Sequence, residues 1–110
     1  MREKVYENKI KDYLHSLGIY QAGTPKQDKP IEQIGWFIKF WGGGMSQVGI
    51  PDILGLVNGK FFAIEVKGEG GRPSTLQLIN LEEIEKSGGL ARLSYPEDFE
   101  KLKGEIKCLI

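Results

Sequence analysis

The sequence predicts an α/β fold, in which a small sheet is flanked by helices in the order α-β-β-β-α-β-α. Three observations support this order. Apolar residues recur at helical spacing over residues 3–17. The dipeptide Asn58-Gly59 stands between two apolar runs, which is typical of a two-residue type I′ hairpin turn. A capping-box pattern that begins at Ser74 then introduces a second helix.

The first helix is predicted over residues 3–17, with Gly18 as its stop. Its apolar stripe consists of Tyr6, Ile10, Tyr13, Leu14 and Leu17. Glu7 lies at the edge of this stripe and is expected to point toward the core, although a surface ion pair with a lysine one turn away is an equal alternative. Glu3 also falls on the stripe, at the fraying first turn.

Three strands are expected between the two helices. Residues 19–33 contain two prolines and several polar residues and predict a long loop. The strands are predicted at 34–41, 52–57 and 60–67, with a flexible glycine-rich connector at 42–49. The third strand alternates between two faces, and both faces are apolar in its first part. It is therefore expected to be buried on both sides.

The second half of the chain predicts a loop at 68–72 and a helix from Ser74 to about residue 86. A short strand is expected at 90–95. Proline starts a last helix at 96–103, and a further edge strand is predicted at 106–110. The 110 residues fit one domain, 1–110, and their 40% hydrophobic content suffices for one core at this size.

Composition restricts the classes of function. No apolar run approaches the roughly 20 residues of a membrane span, and the first residues lack the apolar segment of a signal peptide. Cys108 is the single cysteine, which excludes an internal disulfide and a cysteine-rich zinc site. These features predict a reduced, intracellular protein.

The formal net charge is zero, which counts mildly against a nucleic-acid binder. Eight basic residues nevertheless qualify for a local basic rim, with ordinary solvated side chains as the equal alternative. They are Lys4, Lys9, Lys11, Lys26, Lys29, Lys39, Lys60 and Arg72.

Three further features are best explained without a catalytic role. Trp36 and Trp41 are expected to anchor the core or a loop more than to stack on bases. His15, the single histidine, is expected to be solvated, and no nucleophile signature supports a Ser-His-Asp mechanism. The glycines of Gly68–Gly71 are a weak nucleotide-binding signal, but they suit a loop that a backbone phosphate approaches.

An acid pair emerges from the hairpin register. With Asn58 and Gly59 as the turn, Asp52 is placed directly opposite Glu65, with Cβ atoms about 5 Å apart on the same face. Lys67 lies two residues beyond Glu65 and shares that face. Two carboxylates held so close repel each other, and a divalent cation between them would remove the conflict. The sequence therefore predicts a metal site with a lysine beside it.

Oxygen ligands of this kind suit Mg²⁺ or Mn²⁺. Lys67 would position a metal-activated water or neutralise charge that develops on a phosphoryl group. The alternative is a surface hairpin with a simple Glu65–Lys67 contact. Glu7 would be a third carboxylate, delivered by the first helix. Gln77 is explained by its capping box, yet its helix begins near the acids and it could also reach the site.

These residues resemble the VRR-NUC (virus-type replication-repair nuclease) family, a branch of the PD-(D/E)xK, restriction-endonuclease-like superfamily. The similarity is carried by Gly49–Leu54, by Phe62–Gly68 and by Ser74–Gln77, and it extends over roughly residues 3–95. The combination is fairly specific because three features accompany the acids. They are the glycine before Pro-Asp, the compact gap before Glu-x-Lys and the downstream glutamine.

The resemblance implies a restriction-endonuclease-like core with a small mixed sheet. It also implies a Mg²⁺- or Mn²⁺-dependent DNA endonuclease. By the family pattern the metal ligands are Glu7, Asp52, Glu65 and the backbone carbonyl of Val66, and the catalytic residues are Asp52, Glu65, Lys67 and Gln77. Whether Glu7 or Glu3 is the ligand from the first helix stays open.

Small members of this family are similar to phage or bacterial proteins that act as homodimers on branched DNA. The resemblance thus implies a homodimer that recognises flap-like or four-way (Holliday) junctions in the cytoplasm of a bacterium or a phage-infected cell. A non-catalytic DNA-binding module with a nuclease fold is the alternative, and an enzyme that binds a nucleotide in the glycine loop is a third possibility.

Overall fold

A computed structural model describes residues 1–41 and 48–110 of the chain. It shows an α/β domain in which four strands follow the first helix and one more follows the second. The helices are α1 (Glu3–Ser16), α2 (Thr75–Lys86) and α3 (Phe99–Lys107). The strands are β1 (Ile19–Gln21), β2 (Gly35–Lys39), β3 (Ile53–Val57), β4 (Lys60–Val66) and β5 (Leu90–Ser94). The predicted connector at 42–49 lies largely outside the described residues.

The strands form one mixed sheet in the order β1-β2-β3-β4-β5. The two outer pairs, β1 with β2 and β4 with β5, are parallel, whereas the inner pairs are antiparallel. The parallel β4–β5 pair needs a crossover connection, and α2 supplies it. This arrangement confirms the predicted α/β class and a mixed sheet flanked by helices.

The predicted secondary structure was wrong at two places. Ile19–Gln21 is a short parallel strand, although 19–33 was predicted as a loop throughout. The edge strand predicted at 106–110 is absent from the described structure, because α3 continues to Lys107. Leu102 and Ile106 are four residues apart and both are buried, which is the spacing of one helix face and not of a strand.

Two layers of side chains cover the sheet. On one face α1 and α3 pack on the strands in a core that includes Tyr6, Ile10, Leu14, Phe37, Phe62, Ile64, Leu102 and Ile106. On the other face α2 places Leu81 against Ala63 and Ala91. Residues 62–66 of β4 are buried throughout, which confirms burial on both sides for this part, whereas Lys60 and Phe61 at the start of the strand are exposed.

The expectation that the tryptophans anchor the core was wrong, while anchoring of a loop stays a prediction. Trp36 is 47% exposed and Trp41 is 68% exposed. Trp36 lies beside Leu56 in the sheet, and Leu56 lies beside Phe61, so three exposed apolar side chains follow one another across β2, β3 and β4. In the described part of the chain, none of the helices has the length and apolar character needed to cross a membrane.

Candidate active site

The turn between β3 and β4 fixes the register of the acid pair. Asn58 and Gly59 both have positive φ, of 49° and 79°, as a type I′ turn requires. The strands pair from Val57 with Lys60 outward to Ile53 with Ile64. The next position outward brings Asp52 beside Glu65, so the predicted register is confirmed.

Asp52 is held at the entrance of β3 by three contacts. Its Oδ2 accepts a hydrogen bond from the backbone N–H of Val66 at 2.8 Å, and its Oδ1 lies 3.2 Å from Lys39 Nζ. Its backbone carbonyl accepts from Phe40 N at 2.8 Å. The strands on both sides of β3 therefore fix the position of this carboxylate.

Glu65 is almost completely buried, with 1% of its surface exposed. Its Oε2 accepts a hydrogen bond from Gln77 Nε2 at 2.9 Å and lies 3.2 Å from Lys67 Nζ. Its Oε1 has no hydrogen-bond partner within the described ranges 1–41 and 48–110. Burial, reinforced by the charge of Asp52 and opposed by Lys67, raises the pKa of Glu65 to about 7. The ammonium group of Lys67 thus does not outweigh burial and the neighbouring charge of Asp52.

Gln77 serves the helix and the site together. The Oγ of Ser74 accepts from Gln77 N at 3.1 Å, and Gln77 Oε1 accepts from Ser74 N at 2.8 Å, which confirms the predicted capping box. The amide nitrogen that remains, Nε2, is the one that donates to Glu65. One side chain thus caps α2 and orients the buried acid.

Glu7 lies close to this pair but is surrounded by lysines. It is 3% exposed, and its carboxylate lies 2.6 Å from Lys39 Nζ, 3.0 Å from Lys11 Nζ and 3.6 Å from Lys4 Nζ. Burial opposes the ionisation of Glu7, but the hydrogen bonds and charges of Lys39 and Lys11 outweigh it and lower its pKa. Lys39 also contacts Asp52, so it connects the helix acid to the acid pair.

The donor set suits a divalent cation. Two carboxylates approach from neighbouring strands, and a buried oxygen of Glu65 lacks a partner. Mg²⁺ typically takes one or two protein carboxylates and keeps several waters, so the pair alone is chemically sufficient. Among the described residues, however, no three Asp, Glu, His or Cys side chains are close enough together to hold a metal ion. As placed here, Glu7 is separated from the pair by Lys39, which contacts both Glu7 and Asp52.

The other predicted features have structural roles. A Cβ added at Gly68 would lie 2.5 Å from the backbone nitrogen of Glu3, so this glycine permits the close approach of α1. His15 is half-buried rather than solvated. Its Nε2 accepts from Gln21 N at 3.2 Å, and its ring packs edge-on against Tyr20 and Phe37.

Lys39 is the site residue that sequence reasoning undervalued, since it counted only as one of eight candidate rim cations. Its side chain is 10% exposed. The signal was the period of two in β2, because Phe37 and Lys39 share a face and Phe37 is fully buried. An inward-facing lysine at the end of a strand indicates an acidic partner. No family model, curated protein or solved structure matches the chain.

Proposed function

We propose that the protein is a Mg²⁺- or Mn²⁺-dependent DNA endonuclease with a restriction-endonuclease-like core of the VRR-NUC type. The observation that carries the proposal is the buried Glu65 carboxylate beside Asp52, with one oxygen lacking a hydrogen-bond partner and with Lys67 at 3.2 Å. A buried glutamate beside a second, half-buried carboxylate is costly for a purely structural hairpin. It is suited to binding a cation and a phosphodiester.

In this proposal Asp52 and Glu65 hold the metal, together with the backbone carbonyl of Val66. When bound, the metal polarises the phosphodiester and lowers the pKa of a coordinated water. Lys67 orients the attacking water or neutralises charge that develops on the phosphoryl oxygens. The backbone N–H of Lys67 donates to Ser94 O at 3.0 Å, so β5 fixes the position of this residue. Gln77 keeps Glu65 in the orientation that ligation needs.

Glu7 is the proposed ligand from α1, and its burial favours it over the exposed Glu3. Ligation by Glu7 requires that its ion pair with Lys39 be exchanged for the metal. The present contacts describe a state in which Lys39 neutralises both Glu7 and Asp52. The ligand set therefore differs between this state and a metal-bound state in which Glu7 participates.

We propose branched DNA as the substrate and a homodimer as the active form. A symmetric dimer presents two active sites to two strands, which suits flap-like and four-way junctions. Recognition would then depend on the shape of the DNA more than on its sequence.

A cleavage assay tests the nuclease proposal. Labelled linear, flapped and four-way DNA would be incubated with the wild type in Mg²⁺, Mn²⁺ or EDTA, beside Lys67→Ala. The matched control is Lys86→Ala, which removes an exposed lysine whose contact is a surface pair with Glu82. We expect metal-dependent cutting that is lost in Lys67→Ala and kept in Lys86→Ala.

The assay also separates the non-catalytic alternative. If the wild type cuts no substrate with either metal yet retards branched DNA in a gel, the catalytic proposal is wrong and a binding module replaces it. A second measurement is independent of turnover: Mg²⁺ should raise the midpoint of thermal unfolding of the wild type, and Asp52→Asn should abolish this increase. Circular dichroism of each variant verifies that it is folded.

A further inference from the structure

A second surface lies directly beside the acid pair, at the end of β2. Trp41 is its centre, and at 68% exposure it is the most exposed large apolar side chain in the part of the chain that the structure describes. The residue before it, Phe40, donates its N–H to the carbonyl of Asp52. An indole ring is thus presented to solvent one residue away from the backbone that positions a proposed metal ligand.

Two lysines of α1 flank this ring. Lys4 Nζ lies 5.2 Å and Lys11 Nζ lies 5.9 Å from the ring centroid, within the range of cation–π contacts. They are seven residues apart, which places them two turns apart on one helix face. Glu7 lies between them and contacts both, so the ring extends along the face of α1 that borders the site.

The local charge is positive although the chain as a whole is neutral. Lys4, Lys11 and Lys39 contribute three positive charges around Glu7, and with Glu7 and Asp52 counted as negative the cluster keeps one positive charge. An apolar protein partner that covered Trp41 would have to desolvate Lys4, whose side chain is 60% exposed, without neutralising it. A strand of nucleic acid offers both a base for the ring and phosphates for the ammonium groups.

From this juxtaposition we infer that Trp41, Lys4 and Lys11 bind an unpaired nucleotide of a single-stranded DNA segment, with the base stacked on the indole and the phosphate at the lysines. A base within a duplex keeps its faces stacked on its neighbours, so only an unpaired base is available to the ring. The inference rests on the proposed nuclease function for its placement next to the phosphodiester that is cut. It narrows the proposed substrates to branched DNA that carries a single-stranded arm.

Binding measured in EDTA tests the inference without any cleavage. The affinity of the whole chain for a short oligothymidylate and for a duplex of equal length would be measured by fluorescence anisotropy. Trp41→Ala should weaken binding to the single strand about tenfold and leave binding to the duplex nearly unchanged. Trp36→Ala is the matched control, because it removes the other exposed tryptophan, which lies within β2, and it should change neither affinity.

Intrinsic fluorescence gives a direct readout of stacking. In Trp36→Phe the single remaining tryptophan is Trp41, and its emission should be quenched by the oligothymidylate. In Trp41→Phe the emission of Trp36 should not respond. Three results would each overturn the inference. They are no single-strand binding by the wild type, an equal loss of affinity for both DNA forms in Trp41→Ala, and quenching of Trp36 alone.

The two proposals fail separately. Selective single-strand binding through Trp41 in a protein that cuts nothing would retain the binding surface and refute the nuclease. Metal-dependent cutting, together with no selective effect of Trp41→Ala on single-strand binding, would retain the nuclease and refute the binding surface. Because the ring is largely exposed, its replacement should leave the unfolding midpoint near that of the wild type, which thermal unfolding verifies.

Discussion

The substitution Glu65→Gln should stabilise the metal-free protein at alkaline pH. The pKa of Glu65 is raised from 4.5 to about 7 in the folded state, first by burial and then by the charge of Asp52. A raised carboxyl pKa means that the folded state holds a proton that the unfolded state releases. The contribution to stability is therefore fully present below pH 4.5, declines as the pH rises, and is lost above about pH 7.

The magnitude follows from the two pKa values. The gap between 4.5 and about 7, at about 1.4 kcal/mol for each pH unit, corresponds to roughly 3 kcal/mol. Most of this change falls between pH 5 and pH 8. Glutamine stays neutral in both states and keeps nearly the same volume. The stability of Glu65→Gln relative to the wild type should thus increase by roughly 2 to 3 kcal/mol between these two pH values.

Urea unfolding in EDTA, followed by far-ultraviolet circular dichroism, measures this difference. Glu83→Gln is the control, because Glu83 is exposed on the same helix as Gln77 and its replacement should have no such pH dependence. Adding Mg²⁺ at pH 8 should stabilise the wild type and not Glu65→Gln. A difference in stability that stays constant from pH 5 to pH 8 would refute the assignment of a buried, proton-holding carboxyl.

Three further substitutions test the packing around the site, each by urea unfolding at neutral pH. Lys39→Met removes the cation that contacts two carboxylates and should lower the free energy of unfolding by roughly 3 kcal/mol in EDTA. Mg²⁺ should restore part of this stability. An unchanged urea midpoint would contradict a bridging role for Lys39. Tyr6→Phe breaks the buried 2.7 Å hydrogen bond to Ser94 and should cost about 1 to 2 kcal/mol of unfolding free energy. The double variant that also carries Ser94→Ala should cost less than the sum of the two single variants. Strict additivity of the two costs would count against coupling. Gly55→Ala would place a methyl group against the ring of the adjacent phenylalanine of β4 and should cost about 1 to 3 kcal/mol of unfolding free energy. Gly104→Ala, in open space on α3, should be neutral or stabilising. Equal effects at the two glycines would contradict the close packing at β3.

The parts of the fold that local chemistry determines were predictable. Asn58-Gly59 sets the register of the hairpin because only a few residues accept positive φ in a two-residue turn. The capping box from Ser74 to Gln77 marks the start of α2 because both of its hydrogen bonds are made within one turn. Each signal depends on neighbouring residues alone, and the acid pair follows directly from the first of them.

The parts that tertiary contacts determine were not predictable. Residues Ile19–Gln21 are too few to show a period, and they become a strand only because β2 lies beside them in parallel. The end of α3 depends on a core that buries Ile106. The exposure of Trp36 and Trp41 depends on which parts of the sheet the helices cover, and a hydrophobic residue by itself does not reveal that limit.

The shared role of Gln77 connects the order of a helix end with the charge state of the site. Fraying of the first turn of α2 breaks the hydrogen bonds of the cap at Ser74 and the hydrogen bond from Gln77 to Glu65. One local opening therefore exposes the backbone amide of Gln77 and leaves the Glu65 carboxylate without this donor. Hydrogen exchange at that amide should therefore slow whenever Glu65 is held by a ligand. The helix terminus acts as a reporter of site occupancy, and a substitution at Gln77 alters the cap and the acid together.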